Sequence, residues 1–456
     1  MASFAFKKKL LSSVVAAGMI AGFAASGNVS AVHVSEDNVG QVLLAPYYNV
    51  NNGWKTQVAI VNTRTDAAVK VKIVLRSRAH STEVLDFYCY MTPGDVCRFD
   101  VVNINGQANM FSNDDSVRSV FNPVTFASQQ SITQPLFDDR MLQIDKNDTN
   151  EEGHIEIIGA YAVTTGTVTT PSGVVTVKRA MSKHELVKIF DAPRTSLIPG
   201  PGVTITSIDP TLVRLTGDVQ LVKTGNSDRM GYAIPALVGV IGDMPGTDPR
   251  TALPFDGRVI ANSVFDVTIA QETAIGNGFG VGGSDNIYEL ETALANATLA
   301  GTYEDDRSAA TAGVNRTNLV VTFPTKYRHR VNHICTNMAP TVAEVAGALY
   351  TSPFRSNGTV PYQLLAFDNQ ENSVETGDIF SGGAVVQRFL FAEVNYFVPE
   401  WPAAYTSGWY SLTLVPSTTN GDVCGYPGLP VLGMSHKYFE AAGVANGSLL
   451  TEAAKP

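Results

Sequence analysis

Val42-Leu43-Leu44-Ala45-Pro46-Tyr47-Tyr48 opens a stretch that runs to Val102 and decides the fold class. Behind it come Gln57-Val58-Ala59-Ile60-Val61-Asn62, Val69-Lys70-Val71-Lys72-Ile73-Val74-Leu75, Glu83-Val84-Leu85-Asp86-Phe87-Tyr88-Cys89-Tyr90 and Val96-Cys97-Arg98-Phe99-Asp100-Val101. Each run is short, rich in β-branched and aromatic residues, and bounded by Asn, Gly, Asp or Pro. That is the pattern of consecutive antiparallel strands. In the third run Val69, Val71 and Ile73 alternate with Lys70 and Lys72, which predicts a strand buried on one face only. The expected fold is all-β: an antiparallel β-sandwich, immunoglobulin-like or jelly-roll-like, with long loops and one or two short helices.

The opening 31 residues have the three parts of a secretory signal peptide. Lys7-Lys8-Lys9 supply the charged start, Leu10 to Ala25 the apolar run, and Val29-Ser30-Ala31 the small residues of a cleavage site. The expected location is therefore outside the cytoplasm, at the cell surface, in the extracellular space or in the periplasm. No second apolar run approaches membrane-spanning length, so no transmembrane segment is expected after cleavage. The leader holds three Lys and no acid, so its removal takes the formal charge from −10 to −13. A chain this acidic, with scattered charges, is not built to neutralise phosphates, and nucleic acid is not an expected partner. The remaining length suffices for two or three domains. The expected division is a β-sandwich over 32–200 and a second β-rich region over 201–456, with sheets shared between the two left as an open alternative.

Four cysteines, Cys89, Cys97, Cys335 and Cys424, suggest disulfides in an exported chain. If Thr92 to Gly94 form a three-residue loop, Cys89 and Cys97 face each other across a hairpin. A two-residue Pro93-Gly94 loop would place their sulfurs on opposite faces. The first arrangement is favoured, with Cys335–Cys424 as a second bridge. No C-x-x-C pair points to a zinc site.

Further along, Asp145, Asn147, Asn150 and Glu152 gather closely spaced oxygen ligands, a candidate calcium loop that lacks the glycine and terminal Glu spacing of an EF-hand. No other cofactor is indicated. Ser182 to Phe190 predicts a short helix with Ser182 as its cap. Ile198-Pro199-Gly200-Pro201-Gly202 and the stretch from Asp243 to Arg250 read as breaks, and a helix is expected from about Asp285 to Leu299. The glycines from Gly276 to Gly283 lead into Ser284-Asp285 with no lysine, a flexible loop more than a phosphate cradle. His329 and His333 share a face if extended, a geometry that permits a metal, although surface histidines are the simpler reading. Trp401, Tyr405, Trp409 and Tyr410 form a candidate platform for stacking on sugar rings, with core packing as the alternative.

No G-x-S-x-G elbow, H-E-x-x-H motif or Walker loop occurs, and no catalytic residue is assigned. At Gly40-Gln41-Val42-Leu43-Leu44-Ala45-Pro46-Tyr47-Tyr48 the chain resembles a family of exported proteobacterial proteins known only as cell-surface proteins. The likeness recurs at Val61-Asn62-Thr63, Glu83-Val84-Leu85-Asp86-Phe87, Thr92-Pro93-Gly94-Asp95-Val96, Gly153-His154-Ile155-Glu156-Ile157-Ile158 and Leu215-Thr216-Gly217-Asp218-Val219. Its most distinctive part lies within Leu319-Val320-Val321-Thr322-Phe323-Pro324-Thr325-Lys326-Tyr327. The resemblance implies an envelope location and a β-rich architecture, and carries no reaction and no cysteine pairing.

Three functions follow as expectations. The first is a non-enzymatic structural or interaction protein of the bacterial cell surface, a filament or surface-layer subunit that associates with itself or with other envelope proteins. In it, Val32 to Val50 either adds as a strand to a neighbouring copy or pairs within its own sheet. The second is a carbohydrate- or surface-binding module. The third is a secreted hydrolase with a carboxylate pair, although nothing selects a pair among 42 acids.

Overall fold

A computed structural model of the chain describes residues 32–81, 83–114, 117–119, 132–136, 148–192, 196–207, 211–225, 229–239, 291–296, 298–305, 314–326, 329, 350, 352–369, 373–376, 388–399, 401, 406–417, 428–440 and 452–453. The leader, the break after Asp243, the glycine-rich loop, Cys335 and Cys424 lie outside these residues.

The opening stretch forms β1 (Val42–Asn49), β2 (Trp54–Asn62), β3 (Ala67–Ser77), β4 (Glu83–Met91), β5 (Val96–Ile104) and β6 (Gln107–Ser112). Consecutive strands do not simply pair in turn as expected. β1, β3 and β4 belong to one sheet, and β2, β5 and β6 to a second packed against it. Within this run only β3–β4 and β5–β6 are sequence neighbours that hydrogen-bond to each other.

The chain continues as β7 (Glu152–Thr164), β8 (Gly166–Thr170), β9 (Gly173–Val177), α1 (Lys183–Phe190), β10 (Ile198–Pro199), β11 (Leu215–Lys223), β12 (Arg229–Ala233) and β13 (Ala236–Val238). β7 is inserted between β1 and β3 and pairs antiparallel with both. β11 pairs with β2, β12 extends that sheet, and β13 pairs with β1. Strands beyond residue 200 thus complete both sheets of the N-terminal half, and the Ile198–Gly202 break is an edge strand and turn on β8, not a domain linker. The segment Val32 to Val50 lies in its own sheet: His33–Val34 pairs with β13, and β1 is internal.

Two cores explain the run Val42 to Ala45. Leu43 and Ala45 point between the two sheets with Val58, Ile60, Val71, Ile73, Phe87 and Phe99. Val42 and Leu44 point the other way, into a core with Val168, Val175, Leu186, Ile189 and Phe190. A strand buried on both faces needs apolar residues at successive positions. This second layer, formed by α1 and the small β9–β8–β10 sheet, overturns the one-sided reading of β3, which is buried along its whole length. Lys70 and Lys72 are buried there against an aromatic ring. Lys70 Nζ lies 4.1 Å from the Tyr88 ring centroid and donates to the Phe190 carbonyl at 3.3 Å, the end of α1 where a cation is favoured. Lys72 Nζ lies 4.9 Å from the same ring. Ser182 occupies the N-cap position of α1 as expected, without a side-chain cap bond.

Cys89 and Cys97 form a disulfide, for a different reason from the expected hairpin. β4 and β5 lie in different sheets, so Thr92 to Asp95 is a corner and the bond staples one sheet to the other inside the core. Asp95 Oδ2 accepts from the Thr92 N–H and hydroxyl at 2.9 and 3.1 Å, and Gly94 adopts φ +73°. That left-handed turn suits a residue without a side chain.

The C-terminal half contains β14 (Thr298–Glu304), β15 (Val314–Thr322), β16 (Val360–Asp368), β17 (Val394–Phe397), β18 (Ser407–Leu414) and β19 (Leu432–Glu440). β14, β18 and β16 form one sheet, and β17, β15 and β19 the other, around Leu299, Tyr303, Leu319, Val321, Phe323 and Tyr410. The helix expected to reach Leu299 stops at Leu294. Ala295–Asn296 and β14 are strands, because Leu299 and Tyr303 alternate into this core and β18 supplies a pairing partner that outweighs local helix propensity. No described helix is long and apolar enough to cross a membrane.

The disulfide closes a short loop, so its main effect is a modest restriction of the unfolded chain. Replacing both Cys89 and Cys97 with Ala is expected to lower unfolding free energy by about 2–3 kcal/mol, read from urea denaturation. A change below about 0.5 kcal/mol would contradict its role as an inter-sheet staple.

Candidate contact site at the junction of the two sandwiches

The outer face of the β15 sheet packs on the N-terminal half, and Val320, Val394 and Met434 join the core between the first two sheets. Polar ties surround this contact. Thr322 Oγ1 donates to the Pro46 carbonyl at 2.7 Å, joining the end of β15 to the middle of β1. The N–H groups of Glu393 and Val394 donate to the carbonyls of Ala79 and Arg78 at 3.3 and 2.9 Å. The Ser81 hydroxyl donates to the buried Glu393 carboxylate.

Below this turn lies a buried ion pair. Arg76 Nε donates to Glu156 Oε1 at 2.8 Å, and Arg76 Nη1 donates to the Ser81 carbonyl at 2.9 Å. His154 Nε2 lies 3.8 Å from the same Glu156 oxygen. All three side chains are buried, and strand alternation places His154 and Glu156 on the same side of β7. A Cβ on Gly153 would come within 1.7 Å of the Arg76 carbonyl, so only glycine lets β7 lie so close to β3 here. Lys326, also buried, donates to the Phe391 carbonyl at 2.6 Å and holds the loop that carries Glu393.

An aromatic seam completes the junction. Tyr47 stacks on Tyr396 with ring centroids 5.5 Å apart, and Trp54 meets His436 edge-on at 6.2 Å. Tyr232 donates its hydroxyl proton to the Tyr47 carbonyl. Burial raises the phenols of Tyr47, Tyr232 and Tyr396 well above their usual range, so they remain neutral donors. Asn318 Nδ2 donates to the Tyr396 oxygen, whose own O–H is then directed at His436 Nδ1, 3.0 Å away. Burial pushes the His436 imidazole down to about 4, which keeps Nδ1 available as an acceptor at neutral pH.

The residues singled out in the sequence fall elsewhere. Asp145, Asn147, His333 and Tyr405 lie outside the described residues. In the candidate calcium loop, the Asn150 carbonyl accepts from the Tyr48 hydroxyl at 3.0 Å, and Glu152 accepts from Asn51 Nδ2 at 3.1 Å. The neighbouring Asp148 accepts from the Ser77 hydroxyl and the Ala79 N–H, both at 2.7 Å, and shapes the turn that meets Glu393. His329 is not a surface histidine. It is buried beside Phe354, with Nδ1 donating to the Ser352 carbonyl at 3.0 Å and Nε2 3.4 Å from Glu291 Oε1.

The four-residue aromatic platform does not assemble as one surface. Trp401 is 5 % exposed, stacks on Tyr303 at 4.3 Å and donates from Nε1 to the Thr317 carbonyl, and Tyr410 is buried in the same core. Trp409, on the opposite face of β18, is 39 % exposed and stacks on Phe367 at 3.7 Å. The junction residues Arg76, Glu393, Tyr396 and His436 carried no spacing signal, because they come from strands far apart in sequence. Lys326 did carry one, in the Thr-Phe-Pro-Thr-Lys block.

No family model and no curated protein matches the chain. A solved capsid chain of a human norovirus GI.7 virus-like particle aligns over 92 % of this chain and 80 % of its own at 10 % identity. Its TM-score of 0.10 carries no argument.

Removing one charge of the buried pair leaves the other uncompensated. Arg76→Met is expected to cost about 3–5 kcal/mol in chemical denaturation, and adding Glu156→Gln to recover most of it. His436 binds a proton in the unfolded chain below about pH 6.5 but in the folded chain only near pH 4. Its contribution to stability therefore falls as pH drops from 6.5 to 4, by roughly 3 kcal/mol in all. A His436→Gln variant measured across that range should lack this component. An unchanged pH dependence would contradict the buried neutral assignment.

Proposed function

We propose that this chain is a non-enzymatic structural or interaction protein of the bacterial cell surface, a self-associating building block of an extracellular filament or surface layer. The observation that carries the reading is the junction. Arg76, Glu156, Lys326 and Glu393, the kinds of side chain from which catalytic sites are built, are buried as structural supports. Arg76 and Glu156 hold the turn after β3, Lys326 holds the loop that carries Glu393, and Glu393 accepts from Ser81 across the junction. Supports of this kind suit a component that holds shape under contact with neighbours. The secretory character of residues 1–31 and the resemblance to exported cell-surface proteins support the location. The negative charge and the low proportion of charged residues, 16 %, leave neutral polar faces for packing.

One observation favours a second reading, a carbohydrate-binding module. The exposed Trp409 stands on the outer face of its sheet beside Phe367, with Thr302 directly across the strand pair. Loss of glycan-array binding in Trp409→Ala, with folding intact, would support it.

Negative-stain images of the native cell surface, with size-exclusion chromatography of the secreted protein, test the first reading. Ordered assemblies and concentration-dependent elution are expected. A monodisperse monomer at high concentration, with no surface array, would contradict it.

A further inference from the structure

Among the described residues, the small β9–β8–β10 sheet protects only one of its edges. β10 is two residues long, contains Pro199 and is followed by Pro201, both of which block strand addition. β9, at the other edge, reads Gly173-Val174-Val175-Thr176-Val177, with no charge and no proline. Two other described edge strands carry a guard: the Ile132–Pro135 strand ends in proline and β12 begins with Arg229. Val174 is 67 % exposed, and across the sheet its outward row continues through Thr169 to Ile198, 66 % exposed.

The direction of the free backbone groups follows from one bond. The Gly200 N–H donates to the Thr167 carbonyl at 2.8 Å, so Thr167 and Thr169 direct their backbone groups at β10. Val168 must then face β9 and bond with Val175, its register partner. The N–H and C=O groups of Val174 and Thr176 therefore point away from β8, along the open edge. The side chains of Val175 and Val177 are buried against α1, while those of Val174 and Thr176 lie on the solvent face.

We propose that β9 is a pairing edge whose occupant is β9 of a second copy of this chain, antiparallel, about a two-fold axis through Val175. The inference rests on the self-association reading above and assigns it a surface. In this register Val174 of one copy meets Thr176 of the other, and both directions of exchange repeat by symmetry. All four outward N–H and C=O groups of each strand are satisfied by their own equivalents. Val174 is covered by the partner's Thr176, extending the outward row across six strands. The charges agree: Lys178 falls opposite Ser172, and the two Lys178 side chains are separated by about 20 Å along the strands, beyond the screening length of about 8–10 Å. A two-fold contact closes on itself. It pairs protomers, and a second surface extends any lattice.

Cysteine pairing across the axis tests the register. An antiparallel hydrogen-bonded pair holds its Cα atoms about 5.5 Å apart, within disulfide reach. Val174→Cys mixed with Thr176→Cys is expected to give a cross-linked dimer under oxidation, and either variant alone should not. Thr176→Pro removes an outward donor while leaving the β8 ladder intact, and is expected to raise the dimer dissociation constant roughly tenfold or more. Cross-linking of a single variant with itself, or none in the mixture, would overturn the two-fold register. Assembly that persists in Thr176→Pro without cross-linking of the mixture would place self-association elsewhere and sink this inference alone. A wild-type protein that stays monomeric throughout would sink the self-association reading with it.

Discussion

The ion pair between Arg76 and Glu156 sets the terms for everything packed around it. Two opposite charges are far removed from water, so every remaining donor and acceptor near them needs a partner. The turn after β3 is held by those partners. Arg76 takes the Ser81 carbonyl, Asp148 takes the Ala79 N–H, and Ser81 reaches Glu393 from the other sandwich. The same turn lends the carbonyls of Arg78 and Ala79 to the backbone of residues 393 and 394. Apolar contact alone would allow the two halves to slide. The directional bonds specify one docking position.

This arrangement explains where the chain places its unusual residues. Asn62 closes a corner between sheets, donating to the carbonyls of Ala67 at 2.8 Å and Thr92 at 3.1 Å. Asp95 shapes the next corner, Gly153 permits the close approach of β7 to β3, and Lys326 anchors the loop that brings Glu393 inward. The common factor is a change of sheet or a meeting of sandwiches, where backbone groups leave the ladder and need side-chain partners.

The all-β class was legible because β-branched runs bounded by Asn, Gly and Pro report directly on strands. Pairing was not. The order of strands depends on β7, which enters between β1 and β3 from some 75 residues beyond β3, and no local pattern announces such an insertion. The two lysines of β3 read as a solvent face, since alternation cannot reveal a second layer. Only the location of α1 and its terminal carbonyl shows how a buried lysine is accommodated. The Cys89–Cys97 bond was anticipated from a turn geometry that the protein does not use, which shows that proximity in sequence can deliver the right pair across a corner as well as a hairpin. At the candidate site, Trp401 and Trp409 were indistinguishable as letters, yet one lies in the core and the other on the surface. That distinction comes from which way β18 faces and from the partner strand of Trp401, neither of which composition encodes.

The central claim is that the two sandwiches form one mechanical unit through buried polar ties. Scanning calorimetry of the chain at neutral pH tests it most directly. A single transition whose calorimetric and van't Hoff enthalpies agree is the expected result, with separation into two transitions when Glu393 is replaced by Ala. Two well-resolved transitions in the unaltered protein would mean that each half unfolds without regard to the other, and would contradict the account.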